Sequence, residues 1–321
     1  MYEAVYIHDL PSVMGLYNAY RSGTPSSTRP FDPFTLDPAG RTYLHICGSD
    51  LQHKIKPRVD VDCARILSAL LSFGIDGSHR CDGGWAPLDV YAAQGYPEVV
   101  NTLVAHPTVT VDGQDKKHGM TALMRAAING HSKVAEILLD AKANPNLVSW
   151  GGFTALMYAT RNEVLSFRGG AKSDEDRAAM MDAGYATVIV RESGSADDEA
   201  PKSTISPNPE EQQRDSCSDP FDPNCVDRGV SPGKEWSAVI SALLAHGCEV
   251  NLPDDRGVTP IMVAARGGHV GLVEKLLQGG KVDLKRTDKD GLGAISYSSN
   301  DQVRQMLVDY LDKMIVEGAF K

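Results

Sequence analysis

The sequence contains 321 residues, of which 42% are hydrophobic and 23% are charged, a balance typical of a globular chain. Its formal net charge is -10 and its sequence pI is about 5.4. Nucleic-acid binding needs clustered lysine and arginine to neutralise phosphates, so this charge argues against DNA or RNA as a partner. No apolar run is long enough to cross a bilayer, and membrane insertion is therefore not expected.

The N-terminal segment predicts neither a signal peptide nor a lipid anchor. Met1–Pro11 carries two acidic residues and lacks an apolar core of signal-peptide length. Tyr2 stands where myristoylation needs glycine, and residues 318–321 form no prenylation motif. We therefore expect a cytoplasmic chain, with the nucleus as the alternative location.

A glycine opens a short motif six times along the chain. Successive glycines are 44, 35, 33, 105 and 34 residues apart. Three of these intervals agree within two residues, and the other two equal the same period plus insertions of roughly ten and roughly seventy residues. One repeat array therefore accounts for all six motifs: Gly40-Arg-Thr42, Gly84-Trp-Ala86, Gly119-Met-Thr121, Gly152-Phe-Thr154, Gly257-Val-Thr259 and Gly291-Leu-Gly293.

Each motif precedes a short helical pattern, a loop and, in most units, a second helix with two apolar doublets. Doublets four residues apart fall on one face of a helix. A single helix pair cannot bury such a face, so neighbouring units must stack around one continuous core. The doublets are Ile66-Leu67 with Leu70-Leu71, Val99-Val100 with Leu103-Val104, Val134-Ala135 with Leu138-Leu139, Val239-Ile240 with Leu243-Leu244, and Leu272-Val273 with Leu276-Leu277.

These motifs resemble the ankyrin repeat. The best copies are Asp254–His269, which reads DDRGVTPIMVAARGGH, and Gly119–His131, which reads GMTALMRAAINGH. The family pattern combines a D-x-x-G turn, T-P-L-H, paired alanines, G-H and V-V-x-x-L-L, and it recurs at the period found here. The resemblance covers nearly all of the chain outside the insertions. It implies an all-α solenoid of stacked helix pairs with hairpin loops, about six repeats and an N-terminal capping segment.

The chain departs from the family pattern at the histidine of T-P-L-H, which is present only as His45. The equivalent positions hold Asp89, Met124, Met157, Met262 and Ser296. In the family this histidine bonds the neighbouring repeat. We therefore expect part of these bonds to be lost and local stability to vary along the stack.

Two insertions are predicted between the first and second helices of their repeats, near residues 49–62 and 169–234. The longer one contains no leucine, six prolines, and 14 acidic against 7 basic residues. Such a composition cannot bury enough apolar surface to order the segment, so we expect it to be exposed and disordered.

The two ends of the array are expected to shield its terminal apolar faces. Tyr2–Tyr20 resembles an incomplete first unit, and apolar residues between Val303 and Ile315 recur at helical spacing, which predicts a closing helix. The predicted organisation is an N-terminal cap at 1–36, repeats at 37–168, the acidic insertion at 169–234, and repeats with a capping helix at 235–321.

The sequence predicts no catalytic site, metal site or cofactor. Gly229–Lys234 reads GVSPGK, one residue short of a phosphate-binding loop and without its hydroxyl, and no nucleophile elbow or paired zinc-histidine motif occurs. The six cysteines lack zinc-finger spacing, and Cys47, Cys63 and Cys248 fit buried apolar positions in a reducing compartment. A non-enzymatic chain is therefore expected, and the alternative is an enzyme whose site lies in the long insertion.

The functional surface implied by the resemblance is the concave face of hairpin tips and inner helices. Exposed arginine and large aromatic residues dominate interface energetics and so predict a protein partner. The residues expected to bind it are Trp85, Arg125, Trp150, Phe153, Tyr158, Arg161, Val263, Arg266 and Tyr297. Three arginines in one groove of an acidic protein favour an acidic or phosphorylated partner segment. We expect a monomeric scaffold or adaptor, with a regulatory inhibitor as the alternative.

Short motifs also predict modification and recruitment. The residues around Asn251 resemble the ankyrin sequence accepted by asparaginyl hydroxylases, and the alternative is an asparagine that braces its hairpin through backbone hydrogen bonds. Asp32-Pro-Phe34 and Asp219-Pro-Phe221 resemble endocytic adaptor ligands. Three serines of the long insertion resemble kinase sites: Ser173, Ser195 and Ser231.

Overall fold

The computed structural model describes residues 10–22, 32–47, 57–168, 235–279 and 281–316. Thirteen α-helices and no β-strand lie in this part of the chain. None of these helices is both long and apolar enough to span a membrane. The helices are α1 (Leu10–Arg21), α2 (Tyr43–Ile46), α3 (Pro57–Ser72), α4 (Pro87–Gln94), α5 (Pro97–Val104), α6 (Ala122–Asn129), α7 (Ser132–Asp140), α8 (Ala155–Arg168), α9 (Trp236–Ala245), α10 (Pro260–Gly267), α11 (Val270–Gly279), α12 (Ala294–Tyr297) and α13 (Asp301–Val316).

Helices α2 to α13 form six helix pairs that stack as units one to six. The inner helices (α2, α4, α6, α8, α10 and α12) pack against one another in order, and the outer helices (α3, α5, α7, α9, α11 and α13) form a second layer. Residues of the predicted doublets, such as Leu138 and Leu139, are buried in one core cluster that runs through the described part of the stack. The predicted all-α solenoid of stacked helix pairs is confirmed.

Helix α6 shows why an inner helix is short. Thr121 caps its N-terminus, because the threonine hydroxyl accepts a hydrogen bond from the backbone N–H of Met124 (3.3 Å). Gly130 ends the helix at φ 70°, in the left-handed region that favours glycine, and its N–H returns to helix carbonyls. Gly95 and Gly268 end α4 and α10 in the same way, so glycine sets the eight-residue length of these helices.

Histidine side chains bond one unit to the next. His45 Nε2 lies 3.0 Å from the carbonyl oxygen of Trp85, and His131 Nε2 lies 3.0 Å from that of Ala93. Burial is the main reason that the pKa of His45 falls to about 4. His45 is therefore neutral at pH 7 and makes the inter-repeat bond expected of the family histidine.

The fourth unit departs from the others because its inner helix has no terminating glycine. Glu163 and Val164 replace the Gly-His pair, and α8 continues to a length of 14 residues. Val164 is buried against Gly267, where an added Cβ would lie 2.5 Å from Val164 Cγ1. At the start of α9, Trp236 Nε1 donates to the carbonyl of Ile128 (2.9 Å). Unit four therefore has an extended inner helix, and the start of its outer helix α9 contacts unit three.

Helices α1 and α13 lie at the two ends of the stack. The ring of Tyr17 in α1 stacks on Phe73, with centroids 3.5 Å apart. Val303 and Leu307 of α13 are buried, which fits the predicted closing helix, whereas Ile315 at the end of that apolar series is exposed. The closing helix thus uses mainly its first half for packing.

Part of the first predicted insertion is helical. Helix α3 begins at Pro57, a residue suited to the first turn because it has no N–H to leave unpaired, so residues 57–62 are helical. Residues 48–56 and 169–234 lie outside the described residues, as do the predicted modification sites: Ser173, Ser195 and Ser231. The disorder of the long insertion stays a prediction.

Candidate partner-binding surface

Four of the predicted binding residues occupy one equivalent position, the fourth after the residue that caps the inner helix: Arg125, Tyr158, Val263 and Tyr297. In all of them except Val263, the side chain bonds the first residue of its own hairpin. The three contacts are Arg125 Nη2 to Asp115 Oδ2 (2.7 Å), Tyr158 Oη to Ser149 Oγ (3.1 Å) and Tyr297 Oη to Asp288 Oδ2 (2.5 Å). These side chains therefore brace the hairpins against the inner helices.

Arg125 and Trp85 are not exposed, and this part of the prediction is wrong. Only 2% of the surface of Arg125 is exposed, and its guanidinium carbon lies 3.4 Å from the ring centroid of Trp85, which is also buried. The guanidinium lies between Asp115 of its own unit and Asp89 of the preceding unit, with Nε 3.9 Å from Asp89 Oδ1. Arg80 also bonds Asp89, at 3.0 Å. Burial lowers the pKa of Arg125 and raises that of Asp89, and the attraction between them opposes both shifts.

Val263 is also buried, contrary to the prediction. It holds the same inner-helix position in unit five, and Ile46 holds it in unit one. Neither side chain can bond a carboxylate, so an arginine of the hairpin does so instead: Arg41 Nε to Asp37 Oδ2 (2.6 Å) and Arg256 Nη2 to Asp254 Oδ2 (3.0 Å). The hairpin aspartate is thus paired in both kinds of unit.

The two aromatic residues of the fourth hairpin have opposite environments. Phe153 is buried, contrary to the prediction, and stacks on Tyr158 with ring centroids 5.3 Å apart. Trp150 has 62% of its surface exposed, as expected for a contact residue. Tyr158 is half-buried, and burial raises the pKa of its hydroxyl.

Arg161 and Arg266 remain as partly exposed arginines of the inner helices. Each lies seven residues after the threonine that caps its helix, in the consecutive units four and five, whose helices α8 and α10 pack together. The charge of Arg161 acts on Tyr158, and that of Arg266 acts on Tyr297, whose pKa rises to about 12 mainly through burial and its bond to Asp288. The predicted set of three arginines is therefore reduced to two.

The side chain of Asn251 is engaged in the way the structural alternative predicts. Its Nδ2 donates to the carbonyl of Lys281 (2.8 Å), and its Oδ1 accepts from the amide of Asp283 (2.8 Å). Asn251 thus joins its own hairpin to the next one. Its hydroxylation stays a prediction.

The described residues offer no group of three histidine, cysteine, aspartate or glutamate side chains that could hold a metal ion. Cys47, Cys63 and Cys248 are buried free thiols, as predicted. Sequence reasoning missed Asp89 and Asp115 as partners of Arg125. A signal was present, because an acidic residue stands ten positions before Arg125 and nine before Tyr297.

Comparison with known proteins shows that this chain is similar to ankyrin-repeat proteins. The family model for ankyrin repeats (3 copies) matches residues 109–167, and that for ankyrin repeats (many copies) matches residues 243–297. The ankyrin repeat and KH domain-containing protein mask-1 of Caenorhabditis elegans is 32% identical over 101 residues, which cover 32% of this chain and only 4% of that protein. The crystal structure of the ankyrin repeat domain of Bcl-3, described as a unique member of the IkappaB protein family, superposes with a TM-score of 0.63 at 15% identity over 96% of each chain. This last likeness concerns the fold alone.

Proposed function

Because this chain is an ankyrin-repeat protein, we propose that it is a scaffold or adaptor that binds an acidic or phosphorylated segment of another protein on its concave face. Ankyrin repeats indicate a protein–protein interaction module, and the family is generally non-enzymatic. The proposal includes a monomer that acts in the cytoplasm or the nucleus and has no catalytic site of its own.

The alignment of Arg161 with Arg266 carries this proposal. Packed helices lie about 8–10 Å apart, so two arginines at equivalent positions of neighbouring helices can contact one phosphate or two carboxylates of the same segment. Arginine suits this task because its planar guanidinium donates two parallel hydrogen bonds to an oxyanion. Tyr158, three residues before Arg161 on α8, and Tyr297 on α12 add apolar surface to the same layer of inner helices. Arg125 takes no part, because its side chain is buried inside the stack.

The test compares two variants that lose the same charge from different faces. Arg161→Ala with Arg266→Ala removes two cations from the inner helices, and Lys133→Ala with Arg304→Ala removes two from the outer helices α7 and α13. Affinity purification of the full chain, followed by mass spectrometry, supplies the partner, and its affinity for each variant is then measured. We expect a loss of about tenfold or more for the first variant and little change for the second. Equal affinities, with circular dichroism showing both variants folded, would refute the concave-face assignment.

A further inference from the structure

A second exposed feature lies at the hairpin tips, apart from the two inner-helix arginines. Trp150 is the most exposed aromatic side chain among the described residues, and Val148, two residues before it, is 41% exposed. Lys116 and Lys117 at the neighbouring tip are exposed, and neither forms an ion pair within the described part of the chain. We refer to Lys116, Lys117, Val148 and Trp150 as the tip cradle.

The tip cradle is held in place by contacts within the stack. Trp150 Nε1 donates to the carbonyl of Lys116 (3.3 Å). The indole lies across Gly119, where an added Cβ would be 2.7 Å from Trp150 Cδ2, so a larger residue at this left-handed position would displace the ring. Gln114 Nε2 donates to the carbonyls of both Gly119 and Val148 (2.7 Å each) and so ties the two hairpins together. An anchor that is already ordered loses little conformational entropy on binding.

The charge around the indole is asymmetric. Lys116 and Lys117 lie on the side of unit three, whereas exposed Asp255 follows on the side of unit five, close to Gly152. Two unpaired cations in a chain of net charge -10 form a local positive site. An exposed, rigid indole lies beside them, and large aromatic residues contribute most to binding free energy when a partner excludes water from them.

We infer that the tip cradle anchors an acidic segment of a partner protein through one large apolar side chain that stacks on Trp150. Acidic residues next to that side chain then lie over Lys116 and Lys117. The inference rests on the proposed protein-binding function and adds a contact site outside the inner helices. A basic segment is the competing occupant, because an indole face also attracts cations, but the two lysines oppose it.

The test uses three fluorescein-labelled heptapeptides and the full chain. The first reads Asp-Glu-Asp-Phe-Glu-Asp-Glu, the second has serine in place of phenylalanine, and the third has lysine and arginine in place of the acids. We expect the first peptide to bind at low salt, and the second and third to bind at least about tenfold more weakly, as measured by fluorescence anisotropy. Added salt should weaken the binding of the first peptide, because the charges of the bound peptide stay partly exposed.

Variants of the chain locate the binding site. Two changes should each lower the affinity for the first peptide by about tenfold: Trp150→Ala, and the double variant Lys116→Glu with Lys117→Glu. The control variant, Lys133→Glu with Lys313→Glu on the outer helices, should change this affinity by less than about twofold. The lysine variant keeps the test valid if Trp150→Ala loosens the hairpin, since both lysines are exposed.

Each outcome separates this inference from the proposed concave site. Loss of binding in the tip variants, with Arg161→Ala and Arg266→Ala neutral, supports the tip cradle. Loss of binding only in the arginine variant overturns the tip cradle and leaves the concave site standing. Tighter binding of the basic peptide, equal binding of the serine peptide, or no binding of any peptide also overturns the tip cradle.

Discussion

Replacing Arg125 with methionine tests whether this side chain stabilises the stack. Methionine keeps part of the packing on Trp85 but removes the cation. Asp115 then loses its contact at 2.7 Å while its side chain stays buried, and Asp89 keeps Arg80 as its cationic partner. Removing one partner of a buried ion pair costs about 3–5 kcal/mol. A loss of that size is a large share of the roughly 5–15 kcal/mol that stabilises a typical domain.

Urea unfolding followed by circular dichroism measures this loss. Arg161→Met is the matched control, because Arg161 is partly exposed, and we expect it to change the free energy of unfolding by less than about 1 kcal/mol. The loss should also depend on pH, because removing Arg125 raises the pKa of Asp89 beyond the rise that burial already causes. Stability that requires a protonated carboxyl is present in acid and is lost as pH rises through the raised pKa. The effect of Arg125→Met should therefore be larger at pH 7 than in acid, and an effect below about 1 kcal/mol at pH 7 would refute the bracing role.

Three further predictions concern other contacts of the stack. Gly267→Ala should destabilise the chain by about 1–3 kcal/mol through its clash with Val164, although alanine normally favours a helix. Adding Val164→Ala to this variant should recover most of the loss, as measured by urea unfolding. A single variant whose stability is unaltered or higher would contradict this. The pKa of His45 is about 4 in the folded chain and about 6.5 in the unfolded chain. Between pH 7 and pH 4 the wild type should therefore lose about 3 kcal/mol more of its free energy of unfolding than His45→Gln does. Equal pH dependence of the two proteins in urea unfolding would exclude this role. Tyr297→Phe should raise the pKa of Asp288, because the Tyr297 hydroxyl bond is the main cause of its lowering, and a carboxyl titration by nuclear magnetic resonance that shows no rise would disprove the contact.

The fold could be predicted from the sequence because its signals are local and repeated. A glycine such as Gly130 ends an inner helix through its own backbone conformation, and the apolar doublets need only the helical period. The start of α3 at Pro57 and the length of α8 were harder to predict. Both depend on how far a helix continues beyond the family pattern, and in α8 the cause is the pair Glu163 and Val164 in place of Gly-His.

The candidate site could be predicted only in part, because exposure depends on neighbouring units. Trp85, Phe153 and Val263 have the residue types of an interface, yet the packing of the stack buries them. Arg125 meets carboxylates from two units, and a pattern read within its own repeat does not pair it with Asp89 of the preceding one. Trp150 was found because its position at the tip leaves it outside the core.

Hydrogen–deuterium exchange on the complex with the recovered partner tests the central claim most directly. The claim is that a partner segment lies on the inner helices and the hairpins. Binding should therefore slow the exchange of amides in α8, α10 and the hairpin around Trp150, while the outer helices α7, α9 and α11 keep the exchange rates of the free chain. Protection confined to the outer helices, with α8 and α10 unchanged, would contradict the account.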